Sequence, residues 1–480
     1  MIKKYRTLFA FYTLCCTLLF SLVTLPTKTI AQSPKEVRNT GELQKAVTNA
    51  HPGDVILLAD GEYQDETLSF KVNGTDENRI VIKARNKGKA ILTGTVRVEG
   101  DYLSLEGISF RKKGNLEISG NNCIISRCNW SDVQTGKWIR VAPGSSRVEI
   151  SYNLFENKNN NRELEKGCQL MQIVVRNENE RHHIHHNLFR EIPKGKTGNG
   201  FETLQLITEN NPFDPPGGPS NTVIEDNLFI RCNGESEIIS VKSNGNLIRR
   251  NTFRASKGSL VLRHGDNNVV TGNYFFADGE KESGGVRLQG TGQVVANNYF
   301  QDLGQLGLGM MDGTPDDLYI RVERAQILFN SFVNCTKNFV IGLNHSSHPN
   351  GTAPKDCMIY GNIFYYDKES KIDNFIEYVQ NDEPENWQWQ NNIAFGAPVM
   401  ANIPGILTAN PELSFNPDKI GFPTAGTPSS TFPADAREEI KTDLFGNPWN
   451  NPRTLGAIQY PAKTESAGYL TELLVGPDAK

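Results

Sequence analysis

The chain has 480 residues and a formal net charge of −4, and charged residues make up 22% of it. The lack of a basic excess argues against a nucleic-acid-binding protein, and the composition is that of a soluble protein. The 43 glycines favour a β protein rich in turns.

Residues 1–31 have the pattern of a secretory signal peptide. Basic residues within the first six positions precede an apolar run from Leu8 to Leu25, and a cleavage site with small residues ends at Ala31. The apolar run is short and interrupted for a membrane anchor, so stable membrane insertion is not expected. The sequence therefore predicts a secreted or periplasmic protein.

Residues 32–60 are predicted to form an N-terminal cap. A helix can start at Asn39 or Thr40. Apolar residues then recur at helical spacing, at Leu43, Ala46, Val47 and Ala50. A repetitive β domain needs such a cover because its first coil would otherwise expose the core.

From about residue 80 to 396 the sequence repeats a signature of the form Ile-x-x-Asn-x-Phe. Its asparagine falls at positions 129, 153, 187, 227, 251, 273, 298, 330, 362 and 392. A coil of about 22–25 residues with insertions explains these positions, and short Val, Ile and Leu runs between them predict strands. We expect an all-β protein, a right-handed parallel β-helix over residues 61–460 with asparagine and aromatic ladders inside, followed by a tail at 461–480. A leucine-rich repeat is disfavoured because its regular leucine spacing is absent.

Cysteines and histidines that could bind a metal are interpreted as structural. No Cys-x-x-Cys pair occurs, so a zinc site is not expected. Cys232 and Cys335 each follow a signature asparagine by five residues, which favours buried thiols over disulfide bridges. The tract from His182 to His186 directly precedes the signature at Asn187 and is predicted to lie on a strand and turn of the repeat.

Charged residues gather between residues 199 and 287. Lys242, Arg263 and Arg287 each lie 9–11 residues before a signature asparagine. Matched offsets stack residues on one face of a solenoid, which predicts a cationic ladder. Glu235 and Glu237 share one strand face. Strict alternation would turn Lys242 away from them, so a bend or bulge is required between residues 237 and 242.

These residue types suit β-elimination on a polymer of uronic acids. Removing the C5 proton beside the carboxylate builds an enolate, and cations or a metal ion on that carboxylate reduce the cost. Lys242 is the candidate base, because a nearby cation makes a lysine easier to deprotonate. Glu235 and Glu237 offer the oxygen ligands that Ca²⁺ prefers.

Three motifs resemble polysaccharide lyase family six, which contains alginate lyases and the chondroitinase B type. They are Asn199-Gly-x-Glu-Thr, Glu235-Ser-Glu237 followed by Lys242, and Leu262-Arg263-His264-Gly265, and the resemblance covers about residues 35–460. It implies that Lys242 is the general base and that Arg263 is the catalytic acid or its partner.

The resemblance also implies a metal site and substrate contacts. Asn199, Glu235 and Glu237 match Ca²⁺ ligands of the family, and His264 and Arg287 match positions that contact substrate. Gln205 is a further expected substrate contact. It stands where family members often have arginine, so this subsite is expected to differ.

The leading interpretation is a secreted alginate lyase that binds an anionic polysaccharide, because the Asn-Gly-x-Glu-Thr form resembles the alginate branch. A dermatan sulfate (chondroitin B) lyase would need additional cations for sulfate, which the net charge disfavours. A C5-epimerase would share the proton abstraction but return a proton. A non-catalytic polysaccharide-binding β-helix would not need the Lys, Arg and Glu-x-Glu cluster.

Overall fold

The fold is a right-handed parallel β-helix, as predicted. The computed structural model describes residues 34–64, 67–159, 167–210, 216–379, 385–400, 403–432, 440–462 and 468–480. Successive coils add one short strand to each of three long parallel sheets, and two small two-stranded antiparallel sheets follow the last coils. The predicted signal peptide at 1–31 lies outside the described residues.

The strands of each sheet are hydrogen-bonded in coil order. Sheet 1 contains β1 (Lys35–Val37), β2 (Val55–Leu58), β5 (Ile80–Ala84), β8 (Leu103–Glu106), β11 (Ile124–Ser126), β14 (Glu149–Ser151), β17 (His183–His185), β20 (Val223–Glu225), β23 (Leu247–Arg249), β26 (Val269–Thr271), β29 (Val294–Ala296), β32 (Gln326–Leu328), β35 (Met358–Tyr360) and β38 (Gln388–Gln390). Sheet 2 contains β4 (Thr67–Phe70), β7 (Thr95–Val98), β10 (Leu116–Ile118), β13 (Ile139–Val141), β16 (Met171–Val175), β19 (Leu204–Thr208), β22 (Glu237–Lys242), β25 (Gly258–His264), β28 (Ser283–Leu288), β31 (Leu306–Met310), β34 (Phe339–Ile341) and β37 (Ile376–Tyr378). Sheet 3 contains β3 (Gly61–Tyr63), β6 (Ala90–Leu92), β9 (Ser109–Lys112), β12 (Asn129–Val133), β15 (Leu154–Glu156), β18 (Leu188–Ile192), β21 (Leu228–Cys232), β24 (Thr252–Arg254), β27 (Tyr274–Phe276), β30 (Tyr299–Gln301), β33 (Ser331–Val333), β36 (Ile363–Tyr365), β39 (Asn392–Phe395) and β40 (Ile406–Thr408). The two small antiparallel sheets pair β41 (Leu413–Phe415) with β42 (Gly421–Pro423), and β43 (Ser429–Ser430) with β44 (Arg453–Thr454).

The predicted cap helix is confirmed as α1 (Thr40–Thr48). Asn39 is its N-cap and accepts a hydrogen bond from the Glu42 amide at 2.9 Å. The Asn39 side chain thus satisfies an amide that the first turn leaves unpaired, and the Glu42 carboxylate accepts from the Arg38 amide, just before the helix, at 2.8 Å. The buried face of the helix carries Leu43, Ala46 and Val47. Among the described residues no helix is long and apolar enough to cross a bilayer.

A buried asparagine ladder occupies the turn between sheet 1 and sheet 3 in successive coils. Asn273 donates to Asn298 Oδ1 at 3.0 Å and to the Ile248 carbonyl at 3.0 Å, and its own Oδ1 accepts from the Asn251 amide at 2.9 Å. The residue before each rung, Arg250 for example, has a positive φ. The ladder therefore satisfies backbone groups that a tight turn would otherwise bury without partners.

An aromatic ladder stacks beside it, one ring per coil. Phe253 lies 4.8 Å from Phe229 and 4.7 Å from Phe275 between ring centres, with nearly parallel planes. Both ladders were predicted, with one correction at the start. Asn129 is not a rung, because Cys128 takes that position and its amide donates to Asn153 Oδ1. Phe110 and Trp130, which precede Phe155 in the aromatic ladder, are also fully buried, so the core extends to coils before the asparagine rung at Asn153.

The cysteines of the described chain are free and buried, as the repeat positions predicted for Cys232 and Cys335. Burial raises the pKa of both thiols to about 12, so they remain protonated at neutral pH. Their role is packing rather than redox chemistry.

The C-terminal segment, residues 468–480, runs back along the outside of the coils, and we name it the C-terminal strap. The Leu470 amide donates to Thr252 Oγ1 at 3.0 Å, and the Gly476 amide donates to the His186 carbonyl at 2.8 Å. Lys87 donates to the Pro477 carbonyl at 2.8 Å. The strap thus connects the coil of β24 with coils near the N-terminus.

The histidine tract lies on β17 and the turn after it, as predicted. His183 Nε2 lies 2.7 Å from Glu225 Oε1, and Arg249 and Arg250 donate to Glu225 Oε2 at 2.5 and 2.6 Å. Burial alone would raise the pKa of Glu225, but His183 and the two arginines lower it far more. The Glu225 carboxylate is therefore a charged link between coils.

Replacing Glu225 with glutamine is expected to reduce the free energy of unfolding by about 1–3 kcal/mol at pH 7, because charge-assisted bonds are lost. The folded-state pKa is depressed, so this stabilisation is present above the unfolded pKa of about 4.3 and is lost as pH falls further. Urea unfolding of both proteins at pH 7 and pH 3 measures the difference, which should shrink at pH 3.

The matched control is Glu117→Gln, since Glu117 pairs with Arg97 on the surface with 44% of its side chain exposed. Its effect should stay below about 1 kcal/mol. An equal loss for Glu225→Gln at both pH values contradicts the charge-based account.

Candidate active site

The predicted catalytic residues lie on neighbouring strands, Lys242 on β22 and Arg263 on β25, and the pairing of these two strands is irregular in two places. Ile238 is an additional residue between the paired positions Glu237 and Ile239. Ile239 and Val241 are fully buried in the core, whereas Lys242 remains partly exposed. The irregularity that the sequence required between Glu237 and Lys242 is therefore confirmed.

The predicted register of the cationic ladder is wrong. Lys242 pairs with His264, and Arg287 pairs with Val261 rather than with Arg263. Arg263 is the additional residue of the second bulge, because Val241 and Lys242 pair with residues on either side of it. Bulges change the number of residues per coil, so offsets counted from the asparagines do not give the register here.

The two arginines meet at one carboxylate instead. Arg263 Nη1 lies 2.9 Å and Arg287 Nη2 lies 3.5 Å from Glu237 Oε1, and Arg287 also donates to the Ser236 carbonyl at 3.3 Å. The Glu237 side chain is only 8% exposed. Burial raises the pKa of Glu237, and Arg287 and Arg263 more than compensate, so the carboxylate stays ionised. One anion thus holds two guanidinium groups in place beside Lys242.

Glu235 and Glu202 form a buried acidic pair on neighbouring coils. Burial and the Glu202 and Glu237 charges raise the pKa of Glu235 to about 9. Glu235 Oε1 and Glu202 Oε2 are buried and have no hydrogen-bond partner among the described residues. Two such carboxylates need a shared proton or a cation between them.

Gln205, expected as a substrate contact, is buried between Glu202 and Gln172. Its side chain donates to Glu202 Oε1 at 2.7 Å and accepts from Gln172 at 2.7 Å, and the residue is 3% exposed. It orients Glu202 rather than presenting a free amide to the surface.

The oxygen atoms of the acidic pair fit a hard cation. Asn199 precedes Glu202 on the same segment and is exposed, so its amide oxygen is accessible. Glu237, the third expected ligand, is engaged by the two arginines. In the described part of the chain, no three His, Cys, Asp or Glu side chains are already gathered around one point. The unpartnered oxygens of Glu202 and Glu235 are nevertheless the donor type that Ca²⁺ binds.

His264 lies beside Lys242 but is 1% exposed. Burial, then the positive charges of Arg263 and Lys242, lower the pKa of His264 to about 3. Its ring is therefore neutral at pH 7 and a weak base. This makes His264 a poor alternative to Lys242 for proton abstraction.

Sequence reasoning missed two residues of this cluster, Glu202 and Tyr319. Glu202 stands within the motif Asn199-Gly-x-Glu, and its position three residues after an expected ligand was a usable signal. Tyr319 lies outside the repeats, and the centre of its ring is 5.6 Å from Arg263 Cζ. No sequence signal pointed to Tyr319.

One cavity lies away from these residues. It has a volume of about 580 Å³ and is lined by turns that include Gly217, Asn244 and Asp266. None of the predicted site residues lines it.

Comparison with known proteins places the chain among polysaccharide lyases. The chondroitinase B family model matches residues 37–417. The solved structure of the PL6 family alginate lyase AlyGC is 24% identical with a TM-score of 0.69, and the alignment covers 90% of this chain and 60% of AlyGC. This chain therefore spans about three fifths of the length of AlyGC. No curated protein sequence matches the chain.

Two further structures are similar over most of their own length. A mannuronic acid specific family 6 lyase from human gut microbiota is 26% identical with a TM-score of 0.63, and 76% of this chain and 87% of that one are covered. The PL6 family polysaccharide lyase Pedsa3628 from Pseudopedobacter saltans is 25% identical with a TM-score of 0.65, with 80% and 98% covered.

Proposed function

The chain belongs to polysaccharide lyase family six, the family of the chondroitinase B model, and we propose that it cleaves alginate by β-elimination. The similar structure from human gut microbiota is that of a lyase specific for mannuronic acid, which favours a uronate polymer as substrate. The net charge of −4 and the small number of cations in the cluster are unfavourable for a sulfated polymer.

The observation that carries this proposal is the pair of guanidinium groups on Glu237 next to Lys242. A substrate carboxylate beside Arg263 and Arg287 meets positive charge that is fixed before the substrate arrives. Both arginine side chains are mostly buried, with 25% and 19% exposed, so little water competes with that interaction.

In the proposed reaction, Lys242 removes the proton from C5 of the uronate. The arginines stabilise the negative charge that spreads onto the carboxylate and the enolate. The bond between C4 and the glycosidic oxygen then breaks, a C4=C5 double bond forms, and the oxygen leaves with its electron pair and takes up a proton. Water is not consumed, which distinguishes the reaction from hydrolysis.

We assign a Ca²⁺ site to Asn199, Glu235, Glu237 and, as an addition from the structure, Glu202. The buried unpartnered oxygens of Glu202 and Glu235 and the raised pKa of Glu235 support it. When bound, the ion supplies further neutralisation of a substrate carboxylate. Gln205 keeps Glu202 oriented through its hydrogen bond at 2.7 Å.

We also propose that the protein acts outside the cytoplasm. The basic and apolar pattern of residues 1–31 supports export. Export would place the enzyme where a large anionic polysaccharide is accessible to it.

Replacing Lys242 with alanine is expected to lower the elimination rate about 10²–10⁴-fold, because the base is lost. Ultraviolet absorbance of the unsaturated uronate product measures the rate on polymannuronate, polyguluronate and dermatan sulfate. The wild-type protein should act on one or both alginate blocks and not on dermatan sulfate.

Lys45→Ala is the matched control, since Lys45 is exposed on the cap helix. It should keep wild-type turnover, and both variants should melt near the wild-type temperature because neither side chain is in the core. A folded Lys242→Ala protein with near-normal turnover overturns the assignment of the base. If the wild type acts on dermatan sulfate alone, the protein is a chondroitin B lyase and the proposal of an alginate lyase is wrong.

Adding Ca²⁺ to chelator-treated protein is expected to raise the thermal midpoint, because a ligand that binds only the folded state stabilises it. At a hundredfold excess over Kd this is about 2.7 kcal/mol. Glu235→Gln should abolish the shift, and scanning calorimetry with and without Ca²⁺ measures it independently of activity.

Glu282→Gln serves as control, because Glu282 is 62% exposed and pairs with Lys257 away from the acidic pair. Its Ca²⁺-induced shift should equal that of the wild type. If the wild type melts identically with and without Ca²⁺ and keeps its turnover after chelation, the metal assignment is wrong.

A further inference from the structure

Arg140 is a cation on the outer face of sheet 2, away from the candidate active site. On β13 its neighbours Ile139 and Val141 are fully buried, whereas Arg140 is partly exposed, so its side chain points away from the core. Among the described residues its guanidinium makes no hydrogen bond and no ion pair.

The lack of an anion distinguishes Arg140 from the other arginines on the outer face of sheet 2. Arg97 lies 3.0 Å from Glu117. Arg263 and Arg287 share the Glu237 carboxylate. A partly exposed guanidinium that has no protein carboxylate beside it is available for the carboxylate of a ligand, which its planar donors can bind with two parallel hydrogen bonds.

The strand pairing aligns Arg140 with the candidate active site. Arg140 pairs with Gln172, and Gln172 pairs with Gln205. Gln205 in turn pairs with Ser240, which precedes Lys242 by two residues on β22. These positions form one line across the sheet, and three coil steps at the strand spacing separate its ends by about 14 Å. A 4-linked chain of pyranose rings advances by roughly one coil spacing per sugar, so a chain along this line that has one sugar at Lys242 reaches Arg140 about three sugars further on.

Lys137 adds positive charge between Arg140 and the acidic pair. The Trp138 amide donates to the Leu170 carbonyl at 2.9 Å, and the Leu170 amide donates to the Glu202 carbonyl at 3.0 Å, so Lys137 precedes the acidic pair by two coils at the same end of the sheet. Burial lowers the pKa of Lys137, the charge of Arg140 lowers it further, and the charge of Glu202 raises it. A polyanion along this line therefore meets positive charge before it reaches the proposed metal site.

The line ends at Arg140. The next position along the sheet is Glu117, which pairs with Arg140 in the strand register and whose carboxylate is held by Arg97. A uronate placed over Glu117 would face a like charge, which is unfavourable. Arg140 is consequently the outermost position on this side that favours a substrate carboxylate.

We propose that Arg140 binds a carboxylate of the polyuronate about three sugars from the sugar at Lys242, and that this contact makes the enzyme prefer long chains. The inference rests on the proposed function. A contact so far from the reacting atoms is made equally in the ground state and in the transition state, so it lowers KM and leaves kcat unchanged.

Replacing Arg140 with glutamine removes the charge and leaves no buried group without a partner, so the variant is expected to fold. On the alginate block that the wild type cleaves, KM for the polymer should rise about fivefold, as expected for the loss of one charged contact, with kcat unchanged. The kcat/KM for a trimer of the same uronate should equal that of the wild type, because the trimer is too short to extend from Lys242 to Arg140. Added salt should raise the polymer KM less steeply in the variant than in the wild type.

The matched control is Arg147→Gln. Arg147 is exposed in the turn that follows the same strand, off the face of sheet 2, and among the described residues it too has no ion pair. Its variant should match the wild type on polymer and trimer. A polymer KM that Arg140→Gln leaves unchanged, an equal loss on polymer and trimer, or a fall in kcat at constant KM each overturns the assignment. Thermal melts verify that the variants are folded.

Calorimetric titration of the uncleaved polymer into Lys242→Ala, with and without Arg140→Gln, separates this inference from the proposed function. If the wild type forms no unsaturated product, the proposed function fails, whereas weaker polymer binding in the Arg140→Gln background still supports the contact. If product forms normally and both proteins bind the polymer equally, the inference at Arg140 alone is wrong.

Discussion

The structure depends on satisfying the backbone of one turn in every coil. The asparagine ladder does this by donating and accepting along the helix axis, with Asn251, Asn273 and Asn298 in a continuous series. Because each rung bonds to the next, the ladder fixes the coil-to-coil register at the strand spacing of about 4.8 Å. Residues on the outer face of sheet 2 inherit that spacing from coil to coil.

The candidate site is where sheet 2 departs from this regularity. Bulges in β22 and β25 let Glu237, Arg263 and Lys242 reach the same region although alternation alone would separate them. The bulges disturb the packing only locally, because Ile239 and Val241 on the same strand remain in the core. The same region also concentrates buried charge, and the raised pKa of Glu235 beside the lowered pKa of Glu237 shows how sharply the electrostatic environment changes over two residues.

Much of the fold was readable from the sequence because repeats and caps are local patterns. The spacing of the signature asparagines predicted the repeated coils, and Asn39 followed by apolar residues at helical spacing predicted the cap helix. The need for a bend between Glu237 and Lys242 followed from the alternation of side chains along a strand. The ladder of Lys242, Arg263 and Arg287 was wrong because residue counts do not reveal bulges. The position of Tyr319 beside Arg263 could not be predicted from the sequence, because its loop belongs to no repeat and contacts Arg263 only through tertiary packing. The roles of the site residues remain predictions.

The C-terminal strap changes how the solenoid comes apart. In a stack whose coils touch only their neighbours, ends can fray independently and stability is a sum of adjacent interfaces. Here Lys87, near the beginning, and Thr252, in the middle, bond to the same terminal segment. Opening the early coils therefore requires release of a segment anchored much further along, which links distant coils into one cooperative unit. The coils stack in a linear order, but the C-terminal strap adds contacts between coils that are not neighbours.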